Sequence, residues 1–399
     1  MNGRRATPRV PSPHLSDYGR PARVLLACSG LEHAHRGFES FARECFETLR
    51  DDPRLDLWLI KGSGPDGDRE RSVPSLTRDG PVARTLGRLS GRNGLHVEQL
   101  GFAFSLQPEV VRRRPDVVYF SEWFTGVGLD MLRRVNRQDY ALVLSNGSMA
   151  PAGFERFDRV HQHTAPALDH VLARGADPDQ HILLPVAFKV PPSLERLGAD
   201  DRRALRDRLG LPRDRPIVIS VAALNRWHKR LDYVITEVAR LPEPRPFLLL
   251  VGQPEPETDA LRVLARELGE DGHSIRSVPH GEVEALLRAS DVFVLASLAE
   301  GLPRALIEAM AQGLPCVAHD YQVAHYALGG HGGLADLRQP GALASLLQAG
   351  VDGDADAARA RHRFVYESFS WDRLAPQYVD MLTGAVGRRD FAGRRRARL

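Results

Sequence analysis

Two glutamates, Glu300 and Glu308, carry the clearest chemistry in the sequence. They lie in the segment EGLPRALIEAMAQG, where the first precedes a predicted helix and the second falls two turns into it. A carboxylate can accept hydrogen bonds from two hydroxyl groups at once, and such charge-assisted bonds are strong. The pair therefore suits the recognition of a ligand that carries several hydroxyl groups.

The segment around these glutamates has the pattern of a strand, a loop and a helix. The apolar run Asp291–Ala296 is typical of a buried parallel strand. Pro303 and Gly313 stand at the two ends of the predicted helix, where these residue types are favoured. The backbone N–H groups of Gly301 and Leu302 fall at the start of this helix, where donors are free, so we predict an anion site there.

A second candidate segment, Ala222–Arg230, follows another predicted strand, Pro216–Val221. It carries Arg226 and Lys229 among its cations. Fixed cations that are held in place before a reaction stabilise negative charge as that charge develops on a leaving group. This loop is therefore a candidate for binding the anionic part of a ligand.

The composition bounds the class of protein. The chain has 399 residues, of which 43% are hydrophobic and 26% are charged, which is enough for two domains. A net charge of +3 gives no electrostatic support for nucleic acid as a partner. The odd set Cys28, Cys45 and Cys316 suits a reducing cytosol, and we expect a cytoplasmic protein without a transmembrane segment. The richness in Arg, Ala and Asp suggests a bacterial source.

Strand-like apolar runs alternate with helical patterns along most of the chain, which predicts an α/β fold with doubly wound parallel sheets. Ligands of such sheets bind beyond the carboxyl ends of the strands. The pattern restarts after Lys189–Asp201, a Pro-containing stretch that we interpret as a linker. Gly64–Arg92 is polar and is predicted to be a long loop with a helical piece. The other predicted strands are Arg23–Ala27, Leu55–Ile60, Asp116–Phe120, Tyr140–Leu144, Phe247–Val251, Ser274–Val278 and Cys316–Ala318. The other predicted helices are Phe38–Leu49, Leu231–Leu241 and Glu282–Ala289.

The spacing of Glu300 and Glu308, followed by AMAQGLPCVA, resembles the retaining nucleotide-sugar glycosyltransferases of family 4, also called glycosyl transferases group 1. The resemblance runs from Pro21 to about Gly384 and is strongest over Pro216–Ala318. It implies a GT-B fold, in which two Rossmann-like domains face a central cleft. The implied division is a loose arm at 1–20, a first domain at 21–188 joined by a returning helix at 370–386, a donor domain at 189–369 and a basic tail at 387–399.

The resemblance also implies roles for the donor side. Lys229 matches a family lysine that contacts the donor diphosphate, and we assign the missing family arginine to Arg226. Glu300 matches the residue that contacts the donor sugar, and Glu308 matches the carboxylate that binds the ribose. Further implied donor contacts are Gly301, Leu302, Pro303, Gly37 and the base-binding edge at Val278 and His280.

On the acceptor side the sequence departs from the family pattern. Many members carry His-Asp at the end of a strand of the first domain, whereas the strand Tyr140–Leu144 is followed here by SNGSMAP. Asn146 is a candidate contact for sugar hydroxyls. His161 and His163 are candidates for the same role, or else residues of the core or of a strand edge.

We expect no metal and no cofactor other than the donor substrate, a UDP-, GDP- or dTDP-sugar. The acidic run Asp352, Asp354 and Asp356 lacks the Gly and the terminal Glu of a calcium loop and precedes a predicted helix, where Asp is a capping residue. Peripheral membrane contact is not favoured, because the helical segment Arg36–Arg50 alternates Arg with Glu.

Three functions stay open at this point. The first is transfer of a hexose-type sugar with retention of configuration to a hydroxyl acceptor, which is a natural product, a glycolipid or a polysaccharide. The second keeps the GT-B fold but is a sugar-nucleotide epimerase or hydrolase. The third is a non-catalytic module that binds a nucleotide sugar, an alternative that the departures from the family pattern keep open.

Overall fold

A computed structural model describes residues 19–32, 37–77, 80–91, 93–148, 153–350 and 354–386. Contacts divide the chain into two compact units. One unit holds the described residues up to Lys189 together with those from Trp371 onward, and the other holds the described residues from Val190 to Ser370. Most of the predicted arm at 1–20, the predicted tail at 387–399 and part of SNGSMAP lie outside the described residues.

The first unit contains a parallel sheet in the order β3-β2-β1-β4-β5-β6-β7. Its strands are β1 (Ala22–Cys28), β2 (Leu55–Lys61), β3 (Glu70–Ser72), β4 (Val117–Phe120), β5 (Ala141–Asn146), β6 (Arg159–Gln162) and β7 (His181–Leu183). Its helices are α1 (Gly37–Leu49), α2 (Pro81–Ser90), α3 (Gly94–Ser105), α4 (Gln107–Arg113), α5 (Trp123–Val135) and α6 (Ala165–Leu172).

The second unit contains a parallel sheet in the order β10-β9-β8-β11-β12-β13. Its strands are β8 (Ile217–Val221), β9 (Phe247–Val251), β10 (His273–Arg276), β11 (Val292–Leu295), β12 (Cys316–His319) and β13 (Gly333–Ala335). Its helices are α7 (Ala199–Arg208), α8 (Leu231–Ala239), α9 (Thr258–Ala265), α10 (His280–Ala289), α11 (Arg304–Ala311), α12 (Gln322–Leu328), α13 (Ala342–Ala349) and α14 (Ala355–Phe369).

The central strands of both sheets are largely buried, whereas the edge strands β3, β10 and β13 are half-buried or partly exposed. In β9 every residue from Phe247 to Val251 is buried, and in β1 the same holds for Val24 through Cys28. Continuous apolar runs of this kind are the expected sequence of covered parallel strands. One core cluster of the second unit packs Val234, Ile235 and Val238 of α8 against the sheet.

The last helix, α15 (Trp371–Val386), belongs to the first unit. The Trp371 ring stacks on Phe41 of α1 with ring centroids 5.9 Å apart, and the hydroxyl of the buried Tyr378 donates to the carbonyl oxygen of Pro185 at 2.7 Å. The helix α15 therefore contributes to the core of the first unit, although it follows the second unit in the sequence.

Two predictions about elements need correction. The segment Gly64–Arg92 contains the predicted helical piece as α2, but it also contains the edge strand β3, which was not predicted. β3 is short and polar, and Glu70 holds it to β2 through Lys61, with 2.9 Å between Oε2 and Nζ. An edge strand of this kind has no apolar alternation to reveal it. The predicted linker ends early, because α7 begins at Ala199.

Within the described part of the chain, every helix is too short or too polar to cross a membrane.

Candidate functional site

The topological switch point of the second sheet lies between β8 and β11. The chain continues from β8 to β9 on one side, and from β11 to β12 on the other. In open α/β sheets, ligands bind outside the carboxyl ends of the strands at such a point. The loops that leave this position are residues 222–230 after β8 and residues 296–303 after β11. The first loop contains Arg226 and Lys229, and the second contains Glu300.

Lys229 and Glu300 meet across these two loops. The Lys229 ammonium lies 2.5 Å from Oε1 of Glu300, and the side chains are 19% and 12% exposed. Nε2 of His228 lies 3.8 Å from the same carboxylate oxygen. Because the pair is largely shielded from water, its charges interact more strongly than they would on an open surface. Two residues 71 positions apart in the sequence are thus brought into direct contact.

Asn225 shapes the loop that carries Lys229. Its buried side chain accepts hydrogen bonds from the backbone N–H groups of His228 at 3.2 Å and Lys229 at 2.8 Å, and it donates to Glu255 at 2.9 Å. A side-chain amide that bonds to backbone groups a few residues along is a local turn device. The sequence prediction missed this residue, although an Asn within the cationic segment, directly before Arg226, was the available signal.

Arg226 lies apart from the carboxylate of Glu300. Its half-exposed side chain pairs with Asp232, at 3.5 Å from Nε to Oδ2, and its backbone N–H donates to Glu257 at 2.7 Å. Only Lys229 of the two predicted cations therefore pairs with Glu300 in this structure. The assignment of a diphosphate contact to Arg226 stays a prediction.

The helix α11 places the remaining residues of the glutamate motif. Pro303, at its N-cap position, is buried, whereas Gly301 and Leu302 are half-buried before it. Glu308 is half-buried and pairs with Arg304 one turn earlier, at 3.6 Å. Both glutamates of the motif therefore already have a cationic neighbour, and a hydroxyl ligand would add to or replace those contacts.

The predicted base-binding edge lies after β10. Val278 is half-buried in the loop and His280 is the exposed first residue of α10. One strand, β9, lies between β10 and β8 in the sheet. The assignment of this edge to a nucleobase stays a prediction.

Two hydroxyl groups near the switch point were not predicted. Tyr321 follows β12, and its ring stacks on His319 with centroids 6.0 Å apart. The Tyr321 hydroxyl and the Ser297 hydroxyl are buried, and within the described residues neither has a hydrogen-bond partner. Burial, and after it the carboxylate of Glu300, raises the pKa of Tyr321. Tyr321 could not be recognised from the sequence, because its position near Glu300 depends on the pairing of β12 with β11.

The switch point of the first sheet lies between β1 and β4, and an acidic cluster occupies it. The Ser29 hydroxyl lies 2.5 Å from an oxygen of Glu122 and 3.2 Å from an oxygen of Glu98. Burial raises the pKa of Glu122, whereas hydrogen bonds from Ser29 and Thr125 oppose that shift. The sequence analysis placed the acceptor-side candidates after β5 and missed this cluster. The available signal was Ser121-Glu122, which follows the buried strand β4 directly.

The acceptor-side candidates of the sequence are held within the first unit. Asn146 is buried and donates to Gln162 at 2.9 Å, and the His163 ring bonds to the Ser145 hydroxyl at 2.8 Å. His161 has no exposed surface and contacts the Tyr119 hydroxyl at 2.8 Å. His161 therefore occupies the core, which was the alternative to a site role.

Gly37 is the exposed first residue of α1, and its predicted donor contact stays a prediction. Among the residues that the structure describes, no three His, Cys, Asp or Glu side chains are grouped so that they could hold a metal ion. Asp354 caps α14 by accepting from the N–H of Ala357 at 2.7 Å, as expected of a residue before a helix. Asp352 lies outside the described residues.

Residues 201–361 match the model of the family described as Glycosyl transferases group 1. The chain is 30% identical over 241 residues to a D-inositol 3-phosphate glycosyltransferase of Xylanimonas cellulosilytica, with 56% of each chain covered. It is 31% identical over 198 residues to an MMP alpha-(1->4)-mannosyltransferase of Mycolicibacterium hassiacum, with 47% of each covered. The chain thus spans about half the length of these curated relatives.

Solved structures share the fold over nearly the whole chain. Anabaena HepE in complex with UDP and glucose aligns with a TM-score of 0.68 at 18% identity, covering 91% of this chain and 100% of that one. Sucrose-phosphate synthase from Thermosynechococcus elongatus aligns with a TM-score of 0.71 at 19% identity, covering 93% and 100%. At these identities the likeness establishes the fold, and the predicted GT-B class with two Rossmann-like domains is confirmed.

Proposed function

Because residues 201–361 match the model of the family described as Glycosyl transferases group 1, we propose that this protein is a retaining glycosyltransferase. It transfers a hexose-type sugar from a nucleoside-diphosphate sugar to a hydroxyl acceptor. The similarity to HepE, which was solved with UDP and glucose, supports a nucleotide sugar as the donor. The three cysteines are buried and unpaired, which supports the reducing cytoplasm as the setting.

One observation carries the proposal. The Lys229 ammonium and the Glu300 carboxylate lie 2.5 Å apart on the two loops of a topological switch point. A cation and a hydroxyl-binding carboxylate side by side match the two parts of a sugar diphosphate: Lys229 would take a phosphate oxygen, and Glu300 would take sugar hydroxyls. An apolar ligand could not form hydrogen bonds or ion pairs with these two charged groups.

In the proposed reaction the bond between the anomeric carbon and the diphosphate oxygen breaks, and the acceptor oxygen bonds to the anomeric carbon on the same face. The proton of the acceptor hydroxyl passes to the leaving diphosphate, so that no protein nucleophile is required. Lys229 stabilises the charge that grows on the diphosphate during bond cleavage, which is where a fixed cation contributes most to the rate. Glu300 orients the sugar, and Glu308 holds the ribose equally in the ground and transition states.

A thermal-shift screen of UDP, GDP, dTDP and their hexose derivatives tests the donor assignment, because a ligand that binds the folded protein stabilises it by mass action. We expect one base to raise the melting temperature and its sugar derivative to raise it at least as much. Nucleotide release is then measured with and without a panel of hydroxyl acceptors. Release that needs an acceptor supports transfer, whereas release without one indicates hydrolysis, and binding without release indicates a non-catalytic module.

A further inference from the structure

The Tyr321 hydroxyl is a buried hydrogen-bond donor that has nothing to bond to in the described residues. The ring itself is fixed, because it stacks on His319 at an interplanar angle of 28°. His319 is fixed in turn, because its Nδ1 accepts from the backbone N–H of Leu337 at 3.2 Å. An unpaired buried hydroxyl lowers the stability of a protein, so its presence calls for an explanation.

Glu300 is the charged group that acts electrostatically on Tyr321. β12, which leads to Tyr321, pairs with β11, which leads to Glu300, and Leu295 is opposite Ala318 in that pairing. After burial, the Glu300 carboxylate is the influence that raises the pKa of Tyr321, so the hydroxyl keeps its proton at neutral pH. Tyr321 is therefore a donor on a neighbouring strand end, close enough to Glu300 to be influenced by its charge.

While the Lys229 ammonium lies 2.5 Å from the Glu300 carboxylate, that carboxylate already has a hydrogen-bond donor and does not require Tyr321. A diphosphate would compete for the same ammonium group, since Lys229 is the nearest cation to the carboxylate among the described residues. Glu300, only 12% exposed, would then lose its partner, and an unpaired carboxylate away from water is strongly unfavourable.

We propose that Tyr321 is a positioning residue that replaces Lys229 as the hydrogen-bond donor to Glu300 when Lys229 turns to a diphosphate. The exchange keeps Glu300 in place, and it leaves the second carboxylate oxygen for a hydroxyl of the sugar. The diphosphate in this statement rests on the proposed function. The exchange itself is a property of three side chains and can be tested without any ligand.

The ligand-free test is a double-mutant cycle of Tyr321→Phe and Lys229→Met, read as melting temperature. Tyr321→Phe alone removes a hydroxyl that has no partner, so we expect an unchanged or higher melting temperature. In the Lys229→Met background Glu300 depends on Tyr321, and there we expect Tyr321→Phe to lower the melting temperature by about 2–4 °C. Tyr326 lies on α12, the helix directly after Tyr321, and packs on Phe369, so Tyr326→Phe should change the melting temperature by the same amount in both backgrounds.

A Tyr321→Phe effect that is the same in both backgrounds would overturn the proposal, because a merely structural tyrosine cannot sense Lys229. Tyr321→Leu, carried through the same cycle, guards against a misleading result from one substitution. UDP gives a second readout by titration calorimetry. Tyr321→Phe should weaken UDP binding by about tenfold and Tyr326→Phe should leave it unchanged. Equal UDP affinity in wild type and Tyr321→Phe contradicts the exchange, whereas failure of UDP and other nucleotides to bind wild type contradicts the donor assignment alone.

Discussion

At the scale of single residues, the two glutamates of the motif have different surroundings and different expected roles. Glu300 lies in a loop against Lys229, close to where a leaving diphosphate would be. Glu308 lies on α11 and pairs with Arg304 of the same helix. A group that contacts the ribose is remote from the breaking bond, so its interaction changes little along the reaction.

Glu308→Ala should therefore raise the KM for the donor by roughly tenfold or more, the loss expected for a hydrogen bond to a charged group, with a smaller change in kcat. Glu284→Ala, an exposed glutamate on α10, is the matched control and should leave both constants unchanged. Steady-state kinetics with varied donor decide the point. A collapsed kcat with an unchanged donor KM would refute the ribose assignment.

His161 predicts a pH dependence of stability. Burial lowers the pKa of His161 to about 4, against about 6.5 in an unfolded chain. As the pH falls below about 6.5 the unfolded chain binds the proton first, so stability that is present above 6.5 is lost toward pH 4. The loss for this group is on the order of 3 kcal/mol between pH 7 and 4.

Urea unfolding of wild type and His161→Gln at several pH values measures this loss. Burial also lowers the pKa of His181, so the wild-type slope contains more than one group. The difference in slope between the two proteins isolates His161, and the variant should be flatter between pH 6.5 and 4. Parallel profiles would show that His161 does not titrate as a buried group.

At the scale of elements, the loop that carries Lys229 depends on a close approach between two strand ends. A methyl group at Gly252, just after β9, would lie 1.7 Å from the backbone carbonyl oxygen of Ala222, just after β8. Backbone cannot move out of the way as cheaply as a flexible side chain can. The loop after β8 therefore starts from a position that only glycine at 252 allows.

Gly252→Ala should shift this loop, lowering the melting temperature and weakening nucleotide binding together. The expected destabilisation is about 1–3 kcal/mol, the range for forcing extra atoms into a packed site. Gly101→Ala is the matched control, because a methyl group there, in α3 of the first unit, meets only Cδ1 of Leu76 at an ordinary contact distance of 3.7 Å. That variant should be neutral or slightly stabilising, since Ala favours the helix. Equal behaviour of the two variants in a thermal-shift titration would contradict the packing argument.

Elements with long apolar runs or clear helical spacing could be predicted from the sequence, and the site residues on them could be placed in order along the chain. Leu231–Leu241 and Phe247–Val251 correspond closely to α8 and β9 for this reason. What escaped prediction depends on pairing across the sheet. The resemblance assigned Lys229 and Glu300 to one donor site, but their direct contact was not predicted. That contact, the position of Tyr321 and the Ser29–Glu122 contact arise only when neighbouring strands bring distant loops together.

At the scale of the whole molecule, the end of the chain supports the unit at its beginning. Trp371 packs on Phe41 and lies 4.9 Å, between ring centroids, from Tyr378 of the same helix. Tyr378 is fully buried. Residues 371–386 therefore contribute core packing to the first unit rather than to the second, which they follow in sequence.

Trp371→Ala should destabilise the first unit by about 3–5 kcal/mol, the usual cost of removing a buried tryptophan. Gln377→Ala, exposed on the same helix, should cost no more than about 0.5 kcal/mol. Differential scanning calorimetry with added nucleotide separates the two units, since nucleotide should stabilise only the transition of the second unit. Loss of the nucleotide-sensitive transition in Trp371→Ala would show that the helix supports the other unit.

The central claim is that Lys229 stabilises the diphosphate as the bond to the sugar breaks. The most direct test is steady-state kinetics of Lys229→Ala, with Lys229→Arg as the charge-preserving variant and Lys189→Ala as the control for loss of a lysine elsewhere. We expect Lys229→Ala to lower kcat by roughly 100-fold or more with a smaller change in donor KM. Lys229→Arg should restore part of the rate, because it keeps the charge and changes its geometry. Wild-type kcat in a Lys229→Ala protein that circular dichroism shows to be folded would contradict the claim.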